Sequence, residues 1–312
     1  STYRSGSEGT EVVGGKNPSQ LGYGSMVASI DMNMSSATYN PGNPTDCAIV
    51  GAGFFLVGDK DVAGIIDPTN PESFKSLYLS RVGDLRQDPK GYFTDGTGKC
   101  VYGFLCVGVD EVTGKPIISD QLVPLRVPRM ENAPVDIKTG KEITELTADG
   151  RPTDEGDDYV EGKDWKFTNV VRWPQYQEQA TGGTGGNTTT NIKLQDAQKT
   201  VGTGATATKE ALPPATIDSI SIDEKTGCIS GTTKDTKERV VIGYLAIGNV
   251  TNPNGVSHVG DSYYTADAGA GDLNITMLGG VASELMGVDG KLGSITHVNG
   301  SIESLYRDDA TD

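Results

Sequence analysis

The sequence predicts a mainly β protein, in which a discontinuous sandwich-like or barrel-like body is interrupted by a smaller inserted β domain. Three observations point there. Short apolar runs ("AIV", "FFLV", "LYLS", "YFT", "VYGFLCVGV", "VVIGYLAIG", "SYYT") recur along the chain, most of them bounded by Gly, Pro, Asp or Asn. That is the spacing of strands joined by tight turns, not of βαβ units. Forty-two glycines and fifteen prolines in 312 residues interrupt any longer helical pattern. The stretch 126–213 then differs in texture from its surroundings, so that 1–125 and 214–312 read as one body and 126–213 as its insert.

The elements follow in order. Met26 to Met34, "MVASIDMNM", alternates with Met26, Ala28, Ile30, Met32 and Met34 on one side, the pattern of a half-buried strand. Next comes "NPTDCAIVGAGFFLV", where Gly51-Ala52-Gly53 opens like a nucleotide-binding glycine loop. That fingerprint needs a third glycine, where Leu56 stands, and a helix to follow, where the sequence continues as the strand Phe54-Phe55-Leu56-Val57. A glycine-kinked turn into a buried strand is the reading kept. Asp95-Gly96 in "TDGTGKC" marks a hairpin turn.

From about Leu125 the chain is charged and poor in apolar runs until "WKFTNVVRW", where Trp165, Phe167, Val171 and Trp173 recur at period two and predict a strand whose tryptophans form the small domain's core. "ATGGTGGNTTTN" reads as a mobile loop and "TVGTGATATKEALPPAT" as a second flexible return. Strand-rich sequence resumes near Ile217. In "MLGGVASELMGVDGK" the i, i+4 spacing of Val281 and Leu285 is compatible with a short helix.

A net charge of −16 disfavours nucleic acid and anionic membrane as partners, because such binding relies on Lys and Arg displacing counterions. The insert nets −3 and the flanking parts −13, so the acidity sits mostly on the body. No segment approaches the roughly 20 apolar residues needed to cross a bilayer. The chain starts at Ser1 without a signal-peptide pattern, which is what an excised piece would look like.

Catalytic and ligand patterns are thin. Cys47, Cys100, Cys106 and Cys228 are widely spaced, three of them in or beside apolar runs, where a free cysteine serves as a small hydrophobe and no disulfide framework is needed. His258 and His297 are the only histidines, neither at metal-ligand spacing from another His or a Cys. No Gly-x-Ser-x-Gly elbow occurs, so no nucleophile has a positioned base. The carboxylates Asp154, Glu155, Asp157 and Asp158 suit calcium in donor type but lack the glycine and distal glutamate of an EF-hand loop. Trp165, Trp173 and Tyr176 would make a sugar platform only if exposed. No catalytic residue, metal or cofactor is expected.

Three ordered blocks carry a family resemblance. "NPSQLGYGSMVASIDMNMSSATYNPGNPTDCAIVGAGFFLVGD", "LYLSRVGDLRQDPKGYFTDGTGKCVYGF" and "IDSISIDEKTGCISGTTKDTKERVVIGYLAIGNVTNPNGVSHVGDSYYTADAGAG" resemble, in that order, the bacterial flagellar hook protein family. The match covers about residues 16–110 and 217–303 and leaves the insert unmatched. It departs from the family at Cys47, which stands at a usually apolar position, and at residues 59–76, which lengthen a short hairpin loop. The family's terminal amphipathic helices are missing, so the resemblance implies a fragment that stays monomeric.

The resemblance implies scaffold roles for Asn43, Asp46, Gly51, Gly53, Phe54, Phe55, Arg81, Gly83 and Gly91 in the first two blocks. In the third it implies them for Asn252, Pro253, Gly255, Gly260 and Tyr264. It implies a subunit of a curved tubular homopolymer that transmits torque, exported by the flagellar type III pathway to the cell exterior. Its partners would be its own copies and the distal rod, hook cap and hook–filament junction proteins. A distal rod protein shares the first block, and a secreted carbohydrate-binding module is the alternative from another class. In spirochaete hooks Cys and Lys join subunits, and here Cys100 follows Lys99.

Overall fold

The computed structural model describes residues 44–61, 71–181, 189–260, 262–278, 285–286, 297–298 and 301–304. Asn43, Val281 and the strand expected at Met26–Met34 lie outside them. Among the described residues the chain is mainly β, and its helical turns are 3-10 turns of three or four residues.

The two longest apolar runs become the centre of the largest sheet. Its path runs through Ile217–Ile222, Cys228–Thr233, Arg239–Leu245, Cys100–Val109, Phe54–Gly58, Ile247–Val250, Leu273–Leu278 and His297–Val298. Neighbours are antiparallel up to the last pair, which is parallel. Strands wrapped on both faces read as unbroken apolar runs, because neither face meets water. "FFLV" shows the consequence. Phe54 and Leu56 enter one core with Tyr102, Phe104, Cys106, Ile118, Tyr244 and Met277. Phe55 and Val57 enter a second core with Val101, Leu105, Leu125, Ile229, Ile242 and Ile247.

The ten-residue strand Cys100–Val109 is the spine. Along its length it pairs with Phe54–Gly58, Arg239–Leu245, Val123–Pro124 and Pro116–Ser119, and its register shifts between Cys106 and Gly108. Its entry is the expected hairpin: the Asp95 carboxylate accepts from the Thr97 and Lys99 amides at 2.9 and 3.0 Å, so the turn's orphan donors are satisfied without water.

Residues 126–213 make three separate two-stranded pairs. Arg129–Asp136 lies against Trp165–Arg172, around a fully buried Trp165. The Phe167 ring meets it edge-on at 5.1 Å, and the Arg151 guanidinium sits 5.1 Å from its centroid. Gln175–Thr181 pairs with Thr189–Gln195, and Gln198–Val201 with Thr208–Ala211.

Several expectations need correction. Trp173 is partly buried against the first core of the main body, not inside the small lobe. Strand period fixes the side on which a residue lies but not which neighbour covers it. The "TVGTGATATKEALPPAT" return is a hairpin with a 3-10 turn at Gly204–Thr206. The Gly/Thr loop is shorter than expected, since strand residues reach Thr181 and resume at Thr189, and 182–188 lie outside the described residues. Leu285–Met286 is extended and pairs in parallel with Ile118–Ser119, so tertiary pairing overrides the helical spacing there.

Phe55→Ala is expected to lower unfolding free energy by about 3–5 kcal/mol, because it removes a ring from a closed core. The exposed Val112 (94% accessible) changed to Ala should stay within about 0.5 kcal/mol. Urea denaturation of the two variants checks both.

Candidate functional site

Two constellations stand out: a clamped loop at the start of the body, and a charged cleft where the body meets the strand Thr189–Gln195. The loop answers the question raised by Gly51-Ala52-Gly53. Arg81 is buried directly after the strand Tyr78–Ser80, and its guanidinium donates to three carbonyls: Ile49 at 2.9 Å, Gly51 at 2.9 Å and Gly53 at 2.7 Å. A phosphate-binding loop aims N–H groups at an anion. This loop aims carbonyls at a cation, which is the opposite polarity. Gly53 sits at φ +118, and a Cβ there would lie 2.6 Å from Ile247 Cγ2.

The same corner holds Gly83 and Asp46. Cys47 N–H donates to Gly83 O at 2.9 Å, and a Cβ on Gly83 would lie 1.6 Å from Cys47 O, so no other side chain fits. Asp46 and Asp84 are bridge partners, and Arg86 pairs with both. Burial, then the neighbouring Asp46, pushes the Asp84 carboxyl up, against the pull of Arg86.

The third-block residues lie at two other places. Asn252 donates its amide to Gly269 O at 3.0 Å, and Pro253 is buried in the turn Pro253–Gly255. Gly260 ends the strand Ser257–Gly260. Tyr264 is half-buried, with its ring 6.0 Å from Phe54 and 5.3 Å from His258. Gly91 backs onto Val127 and Pro214. Tyr263, the residue before Tyr264, was missed by sequence reasoning: its ring packs 5.7 Å from Tyr78 and its hydroxyl reaches the Asp95 carboxylate and Thr97. In a Tyr-Tyr doublet one ring must face inward, but periodicity alone does not say which.

The cleft is built by residues about 70 positions apart. Gln121 acts as a surrogate strand: its Nε2 donates to Ile192 O and its Oε1 accepts from Leu194 N–H, both at 2.9 Å. Tyr176 donates to Ser119 Oγ at 2.8 Å, and Leu194 enters the second core. Asp196 bridges Arg126 Nε at 2.6 Å and Arg129 Nη2 at 2.9 Å. Burial alone would raise the Asp196 carboxyl. The two guanidiniums outweigh it and hold the group below the usual aspartate range. Between these walls lies a cavity of about 230 Å³, lined among others by Lys60, Asp61, Tyr92, Tyr102, Arg126 and Lys193.

The cysteines are free and buried. Burial pushes the thiols of Cys47 and Cys106 up to about 12 and that of Cys100 to about 11, and raises Cys228 as well. Lys99 turns to Asp59 at 3.0 Å, while Cys100 points inside, so the two neighbours do not share an exposed face. The acidic turn Asp154–Asp158 is exposed, with Glu155 taken by Arg151. Among the described residues no group of three or more His, Cys, Asp or Glu is placed to hold a metal.

No family model matches the chain, and no curated protein matches it. Among solved structures it is similar to the crystal structure of the Helicobacter pylori flagellar hook protein FlgE2. Identity is 13%, the match covers 86% of this chain and 100% of that one, and the TM-score is 0.41. A likeness of this size assigns neither family nor function.

Three outcomes are expected. Arg81→Met should cost about 3 kcal/mol, from lost hydrogen bonds to a charged group and buried carbonyls left bare; Arg81→Lys should recover less than half, since an ammonium cannot span the fork. Thermal unfolding reads both. Asp196, whose folded pKa is depressed, contributes stability above its unfolded value of about 3.9 and loses it as pH falls through the lower folded value. Asp196→Asn should therefore flatten the decline in denaturation midpoint between about pH 5 and pH 3 relative to the parent. With thiols buried and their pKa raised, iodoacetamide at pH 8 should label the four cysteines only after denaturant is added, as read by mass spectrometry.

Proposed function

We propose that this chain is a structural subunit of the bacterial flagellar hook, the curved tubular homopolymer that passes motor torque to the filament. The reading starts from the three blocks that resemble that family. The observation that carries it is their meeting in one sheet. Phe54–Gly58 of the first block pairs with Ile247–Val250 of the third, with Ile247 opposite Phe55. Tyr78–Ser80 of the second pairs with Tyr263–Thr265 of the third, with Tyr263 opposite Ser80. This pairing of blocks from either side of 126–213 supports reading 1–125 and 214–312 as one body with 126–213 as an outer domain.

Such a body suits a joint that is stiff in twist and compliant in bend. Close-packed cores on both faces of the central strands resist deformation. Bending then falls to contacts between subunits, which must be polar and wet to slide, and the charged insert supplies such a surface. The chain works without catalysis, metal or cofactor, outside the cell, after export by the flagellar type III pathway. Its partners are further copies of itself and the distal rod, hook cap and hook–filament junction proteins.

A carbohydrate-binding role loses its platform, because Trp165 is sealed in the small lobe. A distal rod subunit remains distinguishable by shape. Disrupting the gene that encodes this chain should leave cells without hooks and filaments, and electron microscopy of the native polymer should show curved tubes. Straight tubes would assign the chain to the rod, and intact hooks in the disrupted strain would overturn the proposal.

A further inference from the structure

The turn Pro253–Gly255 joins the strand Ile247–Val250 to the strand Ser257–Gly260, and it carries a reactive dipeptide that the fold has to restrain. Asn254-Gly255 is one of two Asn-Gly steps in the sequence, the other being Asn299-Gly300. In such a step the glycine nitrogen can attack the asparagine Cγ, because no Cβ shields it and the glycine backbone turns freely. The new N–Cγ bond closes a five-membered succinimide. The side-chain nitrogen leaves as ammonia, taking the proton that the backbone amide gives up, and water then opens the ring at either carbonyl. One opening gives aspartate. The other gives isoaspartate, in which the chain runs through the former side chain and gains one backbone carbon.

The turn holds the reacting nitrogen in place. The Gly255 N–H donates to Asn252 O at 2.9 Å, so the proton that must leave is bound. A 3-10 turn keeps ψ near about −20 to −30°, and closing the ring requires the backbone at Asn254 to rotate away from it. Asn254 itself is exposed, so the protection comes from the backbone and not from burial of the side chain.

The same turn has no room for a longer backbone. Gly255 lies back to back with the turn Ala268–Ala270: a Cβ on Gly255 would lie 1.9 Å from Gly269 O and 2.6 Å from Ala270 N. Asn252 fastens the two turns, its N–H donating to Ala270 O at 2.8 Å and its side-chain amide to Gly269 O at 3.0 Å. One more backbone carbon adds about 1.5 Å of chain between Asn254 and Gly255. That length drives Gly255 into the Gly269 carbonyl or pulls Asn252 off it. The strands on either side depend on the turn, since they set Ile247 opposite Phe55 and Tyr264 opposite His258. Conversion to plain aspartate changes only an exposed side chain.

We infer that Asn254-Gly255 is a self-modification site, closed by the folded turn and open in the unfolded chain, whose isoaspartyl product cannot re-enter the fold. Water is the co-reactant. The inference concerns the chain itself and does not depend on what it assembles into.

Incubating the full chain at pH 8 with and without guanidinium chloride tests this, with mass spectrometry reading amide-to-acid conversion and peptide chromatography separating isoaspartyl from aspartyl forms. In denaturant Asn254 and Asn299 should convert at similar rates. In the folded chain Asn254 should convert at least about tenfold more slowly than in denaturant, because the reaction waits for local opening of the turn. After removal of denaturant, size-exclusion chromatography should recover the aspartyl form at position 254 with the folded protein and leave the isoaspartyl form behind. Asn254→Asp should fold with the parent's denaturation midpoint, which separates the added backbone carbon from the added charge. Equal conversion of Asn254 in folded and unfolded protein, isoaspartate at position 254 entering the folded fraction in its full proportion, or failure of Asn254→Asp to fold would each overturn the inference.

Discussion

A strand buried on both faces over seven of its ten residues, Cys100–Cys106, has to find backbone partners along both edges there, because little water reaches those amides. Cys100–Val109 imposes that constraint on the whole molecule. Phe54–Gly58 must come back from the start of the chain, and Arg239–Leu245 must arrive from beyond the insert. The strands between them in sequence are free to leave as long as the chain returns to this edge. The chain leaves and returns at one place, where Arg129 bridges Pro214 and the Ala215 amide donates to Pro128 O.

Charge is handled in two ways. Inside, a cation is consumed by backbone: Arg81 binds the carbonyls of Ile49, Gly51 and Gly53, so that one guanidinium clamps a glycine-containing loop. At the junction, a single carboxylate is divided between two guanidiniums, and Gln121 imitates a strand edge to seat Leu194. These contacts tie Thr189–Gln195 to the body, whereas the Trp165 lobe has its own small core and meets the body at points such as the Asn169 amide, which donates to Asp235 at 3.0 Å. Within 126–213, the strand Thr189–Gln195 is thus tied to the main sheet's neighbours through Gln121, Arg126 and Tyr176, while Trp165 sits in a core of its own.

Legibility in the sequence followed the range of the interaction. The strands at Phe54–Gly58 and Cys100–Val109, the Asp95 turn and the strand at Trp165–Arg172 are all written in patterns of two to ten neighbouring residues, and the structure has them. Gly83 and Gly53 could be marked as special by the resemblance, but the reasons, Cys47 O and Ile247 Cγ2, lie in other strands. Tyr263, Gln121 and Asp196 had no local mark at all. A tyrosine in a doublet, a glutamine before a leucine and an aspartate in a loop are ordinary surface residues until a partner some 70 to 170 positions away meets them.

What the sequence by itself determined was the class of the fold: short apolar runs punctuated by glycine and proline close as strands. Only the tertiary structure decided which face of each run met which core, that Trp173 serves the body rather than the lobe, and that Lys60 and Arg126 converge on one cleft. The physical reason is that strand period is local and is set by backbone geometry. Burial and charge pairing depend on which distant segment arrives, and that choice belongs to the whole sheet at once.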